Sequence, residues 1–455
     1  MKTETSRREF LRAMSVGIAS AWAPKSLLSA QPEPDYRLES SRLRLEIARG
    51  KTIETIAYNG KVPGPLIRWP ENKPIRIQVT NRTDMPEIAH WHGLFNSSDM
   101  DGAMEEGSPM IAPGATFVYD FTPRPAGFRW YHTHTSAGHN LKRALYTGQF
   151  GCFYVDPKTN RGDYDQEIFL TVHDWKPYMG GGGDSMEVVY DYGTINDRML
   201  GHGDPIQVAE NQRVLAHLLN ASATLTHWIA LSGHQMKVIA TDGNPVPRPT
   251  SVSAVRLAAA ERIDVVIEMI RPGVWIMGET RKEFRTAGIG IIVEYKNQSG
   301  PAKWIEPPET VWDYAQFADA AAEPRHADEQ IPLVFQSKFS GHGDFDRWTI
   351  NGKSFPFTDT ISLQPGQRYR LAMTNRSADP HPIHLHRHSF ELTNLGNKPL
   401  SGLLKDVVLI EPGISCVDFT ADNPGPTLFH CHQQNHMDFG FMTVFAYQHS
   451  EQKAV

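Results

Sequence analysis

The sequence predicts an all-β protein built from three tandem β-sandwich units, and three observations carry that reading. The chain repeats itself. Tyr58-Asn59-Gly60-Lys61, followed by Ile77-Gln78-Val79-Thr80-Asn81-Arg82, returns as Ile350-Asn351-Gly352-Lys353, followed by Leu371-Ala372-Met373-Thr374-Asn375-Arg376. A fainter copy, Ile195-Asn196-Asp197-Arg198 and then His217-Leu218-Leu219-Asn220-Ala221-Ser222, lies between them. The paired Asn landmarks stand 22, 24 and 24 residues apart in chain order, the self-similarity expected of tandem units. Within each copy, short Val/Ile/Leu/Tyr runs alternate with polar residues between Pro and Gly, as in Arg42-Leu43-Arg44-Leu45-Glu46-Ile47 and Asp264-Val265-Val266-Ile267-Glu268. That is the period-two writing of half-buried strands in antiparallel sandwiches. Finally, 455 residues at roughly 150 per domain leave room for three cores.

The units follow in order along the chain. Ser6-Arg7-Arg8-Glu9-Phe10-Leu11-Arg12 is a twin-arginine pattern, and the mildly apolar run 13–23 behind it is shorter than the ~20 residues of a membrane span. It predicts a signal peptide over 1–30, cut after Leu28-Ser29-Ala30, with the twin-arginine export machinery as partner. A periplasmic or otherwise exported bacterial protein without a stable membrane anchor follows from it. The first sandwich is expected over 36–156, closed by Asp156-Pro157-Lys158-Thr159-Asn160-Arg161-Gly162. The second is expected over 163–298 and the third over 330–448, with the Pro-, Ala- and acid-rich stretch 296–329 linking them.

Composition narrows the function. There are 45 basic and 51 acidic residues; losing 1–30 removes five and two of them, leaving 40 against 49, a net charge of −9. No Lys/Arg-rich run lies beyond the N-terminus, which excludes a nucleic-acid or anionic-membrane footprint. Three cysteines, Cys152, Cys416 and Cys431, cannot build a disulfide framework. Cys152 and Cys416 fall in strand-like apolar stretches and read as small buried hydrophobes. Twenty histidines, several in His-X-His pairs, point to metal.

Four motifs carry the chemistry: His90-Trp91-His92-Gly93, Trp130-Tyr131-His132-Thr133-His134, His381-Pro382-Ile383-His384-Leu385-His386, and His430-Cys431-His432 with His436 after it. On a strand, residues i and i+2 face the same way, so each His-X-His presents two imidazoles to one side. One such pair is ordinary; four at repeat-equivalent positions are not. Asn81 precedes His90 by nine residues, as Asn375 precedes His384, whereas nine and eleven residues beyond Asn220 stand Ile229 and Leu231. The outer units should therefore carry equivalent ligands and the middle one none. Cys431 with His381 and His436 offers a thiolate and two imidazoles, the ligand set of a blue-copper electron-transfer site.

These motifs, in this order, closely resemble those of the three-domain multicopper oxidases, the laccase-like group, over essentially the whole chain beyond the signal segment. The resemblance implies cupredoxin-like Greek-key β-sandwiches and four Cu ions per chain. It assigns His381, Cys431 and His436 to a mononuclear type 1 copper and His90 and His384 to type 2. One type 3 copper takes His92, His132 and His432, and the other His134, His386 and His430. Electrons from a small reducing substrate would enter at the type 1 site beside His436 and pass through Cys431 to its two neighbours, to reduce O2 to water.

Two features depart from many relatives. The axial type 1 position, five residues after the last ligand, is Phe441, which cannot coordinate; Met442 would need a one-residue bulge to replace it. Asp101, eleven residues after His90, matches the acid that relays protons near type 2 copper, but the second acid of many bacterial members is here Met437, leaving Asp438 as the nearest substitute. The leading function is oxidation of phenols or aromatic amines. The alternatives are oxidation of a metal ion, Cu(I) or Fe(II), and a copper-free scaffold of the same fold.

Overall fold

The repeat landmarks recur as one construction used three times. In the computed structural model, which describes residues 32–159, 162–180, 186–309, 311–319, 325–338 and 347–448, strand Tyr36–Ala48 pairs antiparallel with Lys51–Tyr58 and parallel with Ile75–Asn81. Gln166–Met179 does the same with Val188–Ile195 and Arg213–Asn220, and Glu329–Lys338 with Arg347–Ile350 and Arg368–Asn375. The predicted signal segment lies outside the described residues.

The conserved geometry of the turns explains the repeated Asn. Asn59, Asn196 and Asn351 turn at φ of 53°, 57° and 53°, the left-handed region that Asn tolerates. Each side chain then binds the first strand of its unit twice: Asn59 accepts from Glu39 N–H and donates to Arg37 O, Asn196 to Thr171 and Phe169, Asn351 to Val334 and Pro332. Asn81, Asn220 and Asn375 hold the next loop in the same way. Their amides donate to Met85 and Ile111, to Leu225 and Leu257, and to Asp379 and Ile410, while the oxygen accepts the N–H two residues on.

Among the described residues each unit has two sheets, of 4 and 4, 6 and 5, and 7 and 5 strands. The sheets are not purely antiparallel as the alternation suggested. Tyr36–Ala48 lies parallel to Ile75–Asn81, and Gly64–Pro70 to Phe150–Asp156, because Greek-key crossovers return the chain to the same direction. The described residues from Pro34 onward form one compact unit. The linker is less loose than its composition suggests: Trp312, Tyr314 and Phe317 are buried in the apolar cluster that runs from the second sandwich into the third. Among the described residues no helix is long and apolar enough to cross a membrane.

The histidine motifs lie where strands leave the two outer cores. Ala89–His90 pairs with Gly127–Thr133, placing His90 opposite His132; His381–Leu385 pairs with Thr427–Cys431, placing His384 opposite His430 and Ile383 opposite Cys431. Trp91 and Tyr131 fill the first core, and Ile383 and Cys431 the third. Side chains alternate, so the flanking histidines must turn out of their own sandwich. In the middle unit the equivalent strand His227–Leu231 keeps Ile229 and Leu231 in its apolar core.

Candidate metal centres

Eight histidines from the first and third sandwiches converge in one buried cluster. Donor atoms of His90, His92 and His132, of His90, His384 and His386, and of His134, His386 and His430 each fall within 4.8 Å of one another. The rings stack across the two sandwiches, His90 on His386 at 4.0 Å and His92 on His384 at 3.8 Å. This is a local pseudo-twofold: the first histidine of each repeat packs on the second histidine of the other. His432 completes the group, its ring 5.2 Å from both His92 and His132.

Hydrogen bonds around the rim fix which ring nitrogens face inward. Nδ1–H donates to a main-chain oxygen in His90 (Asp101, 2.8 Å), His132 (Thr133, 2.8 Å), His384 (Asp406, 2.7 Å) and His430 (Cys431, 2.9 Å), leaving each Nε2 as a lone pair. His92 is reversed: its Nε2–H donates to Asp406 Oδ1 at 3.1 Å, and its Nδ1 lies 3.4 Å from His132 Nε2. His386 donates through Nδ1 to Asp101 Oδ2 at 3.0 Å, so its Nε2 meets His430 Nε2 at 3.0 Å. Two such nitrogens facing each other without a proton between them are a donor set for a cation.

Burial strengthens that reading. It pushes His90 down to about 4, His430 down to about 3, and His92, His132, His134, His384, His386 and His432 well below the usual imidazole range. The rings are neutral. Among the described residues, Nε2 of His90, His134 and His384 and both nitrogens of His432 are buried without a protein partner. Orphaned buried nitrogens on neutral rings cost free energy unless a ligand satisfies them, and imidazole suits copper, so the group fits the metal.

A second centre lies behind Cys431, wholly in the third sandwich. His381 Nδ1 and His436 Nδ1 are 3.2 Å apart, and Cys431 Sγ lies 3.8 and 3.6 Å from them. Ser377 spends its hydroxyl proton on Asn375 Oδ1 and Asp379 O, so it accepts from His381 Nε2–H at 2.8 Å and turns Nδ1 toward the thiol. Trp348 packs on both imidazoles at 4.6 and 4.2 Å. The Phe441 ring stands 4.8 Å from His381, whereas Met442 packs with Ala103, Leu428 and Met437 on the other side of the strand. Phe441, the residue just before strand Met442–Tyr447, thus faces this centre, and Met442, the strand's first residue, faces away.

The acids divide differently from their sequence order. Asp101 is fully buried beside His90 and His386, and burial raises its carboxyl to about 7. Glu106, which no motif spacing selects, lies 3.5 Å from His386 Nδ1, accepts Leu428 N–H at 2.6 Å and forms a carboxyl pair with Asp101. Asp438 instead accepts the N–H groups of Ala137 and Gly138 at 2.9 and 2.8 Å, fastening a first-sandwich loop to the helix that carries His436. Also unforeseen is Asp406, held by Arg262 and touching His92. Of the other cysteines, Cys152 is buried as expected, but Cys416 is half-buried because alternation along its strand turns it to the face opposite Val417 and Phe419, which enter the core.

Comparison with known proteins agrees with this arrangement. Multicopper oxidase family models match residues 41–160, 169–297 and 328–451. The chain is 30% identical to the multicopper oxidase MmcO of Mycobacterium tuberculosis over 88% of this chain and 84% of that protein. It is 27% identical to a laccase of Pycnoporus cinnabarinus over 87% and 86%. In fold it is similar to Fet3p, described as a multicopper oxidase that functions in iron import, with a TM-score of 0.79 at 19% identity over 91% and 90%. With three matching models spanning most of its length and two buried donor sets made of side chains that suit copper, the chain belongs to the multicopper oxidase family.

Proposed function

We propose that this oxidase is laccase-like, taking single electrons from phenols or aromatic amines and reducing O2 to water with four coppers per chain. His381, Cys431 and His436 would hold type 1 copper. His90 and His384 would hold type 2, and His92, His132 and His432 together with His134, His386 and His430 the type 3 pair. When bound, the coppers supply one-electron chemistry that the side chains lack. The observation that carries the reading is the run His430-Cys431-His432, whose middle side chain enters one donor set and whose outer two enter the other. The main chain of these three residues is a short covalent path between the sites.

The residues around the sites have distinct tasks. Asp101 and Glu106 form a buried carboxyl pair able to hold a proton beside His386, and Phe441 and Trp348 keep the thiol in an apolar pocket. The domain limits 36–156, 163–298 and 330–448, removal of 1–30 and twin-arginine export to the periplasm belong to the same reading. Metal analysis should give four coppers per chain with an intense visible thiolate absorption, and Cys431→Ser should abolish that band; one or two coppers would sink the trinuclear assignment. A metal-ion oxidase is the second reading, supported by the likeness in fold to Fet3p, which functions in iron import. Steady-state rates with a phenol, Cu(I) and Fe(II) distinguish the two. Retention of wild-type protein in the cytoplasm, or export unaffected by Arg7→Lys with Arg8→Lys, would overturn the export proposal.

A further inference from the structure

The pseudo-twofold of the histidines extends to two aspartates that end up in opposite surroundings. Asp101 gives its main-chain oxygen to His90 and its carboxylate to His386; Asp406 gives its main-chain oxygen to His384 and its carboxylate to His92. Each acid thus supports the first histidine of its own sandwich and the second histidine of the other. Asp101 has a second carboxyl, Glu106, beside it. Asp406 has arginines. Arg262, from the middle sandwich, grips it with both arms of its guanidinium at 2.6 and 2.6 Å, and Arg129 Nη1 approaches Oδ2 at 3.4 Å. Arg129, Arg262 and Asp406 are all fully buried.

The rest of the middle sandwich holds this pair in place. Asp242 accepts the N–H groups of Asp406 and Val407 through Oδ2 at 3.2 and 3.1 Å, and that of Arg262 through Oδ1 at 3.0 Å. Lys405 Nζ lies 3.0 Å from Asp242 and 3.1 Å from Glu261. Gly93, which follows the His-X-His motif at φ +80°, sits so close that a Cβ there would lie 2.5 Å from Asp406 Oδ2 and 2.9 Å from Arg262 Nη2. The glycine is required by this ion pair as much as by its turn.

We propose that Arg262 is a positioning residue for His92, acting through Asp406, so that the sandwich without metal ligands sets the orientation of one type 3 ligand. The fork fixes both carboxylate oxygens; Oδ1 then takes His92 Nε2–H and leaves Nδ1 as the inward donor, reversed from His90, His132, His384 and His430. Asp406 also lies within donor distance of His92 and His384, but a carboxylate committed to a guanidinium and an imidazole N–H is an anchor, not a ligand. A lysine would keep the charge and lose the fork.

The inference rests on the assignment of His92 to type 3 copper, and wild-type copper content tests that assignment separately. Apo-protein is titrated with copper against a chelator, with Cys431 absorption recorded in parallel, for wild type, Arg262→Lys and Asp406→Asn. The weakest-bound copper should bind at least about tenfold more weakly in both variants, as loss of a ligand's supporting hydrogen bond does elsewhere, while the Cys431 band is unchanged. Affinities within twofold of wild type in both variants, with only the melting temperature lowered, would show that the pair merely fastens the sandwiches together and overturn the proposal. If Arg262→Lys does not fold, Asp406→Asn, nearly isosteric but with an amide NH2 replacing one of the two oxygens that take the Arg262 fork and His92 Nε2–H, decides by the same criterion. Wild type with fewer than four coppers would instead overturn the ligand assignment.

Discussion

At the residue scale, the two candidate centres are governed by what lies one atom beyond the donors. Phe441 puts a ring, not a thioether, 4.8 Å from His381. A three-ligand His/His/Cys site disfavours the oxidised ion relative to one with an added donor, so Phe441→Met should lower the type 1 potential and slow oxidation of electron-poor phenols. Met442→Leu should leave the potential unchanged because Met442 faces Leu428 and Met437. Redox titration of both variants checks this, and a raised potential in Met442→Leu alone would reverse the axial assignment. At the cluster, Asp101→Asn keeps an acceptor near His386 but cannot exchange a proton. It should slow O2 reduction by about 100-fold, within the usual worth of a general acid, and leave the Cys431 band intact. Wild-type turnover in that variant would place the proton supply elsewhere.

At the element scale, the same loop anchor serves three sandwiches but a metal ligand in only two. Asn375 orients Ser377, which orients His381; Asn220 makes the matching loop bonds in the middle sandwich with no metal motif after them. Asn375→Ala and Asn220→Ala should each cost about 1–3 kcal/mol through buried groups left unpaired. Only the first should weaken the thiolate absorption, a contrast read from urea midpoints and visible spectra. The two sheets of the middle sandwich are clamped by His227, whose ring bonds Asp174 and Glu279 at 2.8 Å each. Burial alone would lower this imidazole, but the two carboxylates outweigh it and raise it to about 9, while Glu279, paired with His227 and Arg281, falls to about 2. A raised histidine stabilises the fold fully below its unfolded value near 6.5 and loses that contribution as pH climbs through 9. The melting temperature of the wild type should therefore fall between pH 6.5 and 9 by more than that of His227→Gln, with a wild-type loss on the order of 3 kcal/mol. Parallel curves would show that His227 does not carry the clamp's charge.

At the scale of the whole molecule, four histidines come from each outer sandwich, so metal is also an interdomain bond. Removing copper leaves neutral rings with orphaned nitrogens at the junction of the first and third sandwiches. Ligands that bind only the folded state stabilise it by mass action, so chelator-treated protein should melt below the copper-loaded form, by about 5 °C for binding worth roughly 5 kcal/mol in a chain of this length. Calorimetry of the two forms tests this, and equal melting temperatures would show that the cluster is preformed by protein contacts alone. Those contacts are considerable, since Arg387 bonds Asn96 O in the first sandwich and Pro426 O and Pro424 O in the third.

Sequence alone was enough for the three-unit architecture, because alternation and the repeated Asn-turn chemistry are local, and a turn at positive φ selects its residue wherever it occurs. It also determined that Ile229 and Leu231 leave the middle unit without ligands, since period-two geometry decides which side chains share a face. The four His-X-His motifs were legible for the same reason. Tertiary structure alone decided what surrounds them. Asp406 stands 22 residues beyond His384, Arg262 lies in another sandwich, and Glu106 is one acid in a pair of neighbouring glutamates; none has a spacing tied to a motif. Their roles arise only when strands from three sandwiches meet, in a buried place where each charge must find its partner across the chain. Asp438 shows the converse: two residues after His436, it was the nearest substitute for a second relay acid, and tertiary structure sets its carboxylate against the N–H groups of Ala137 and Gly138 as well, which ties down the helix that bears a ligand.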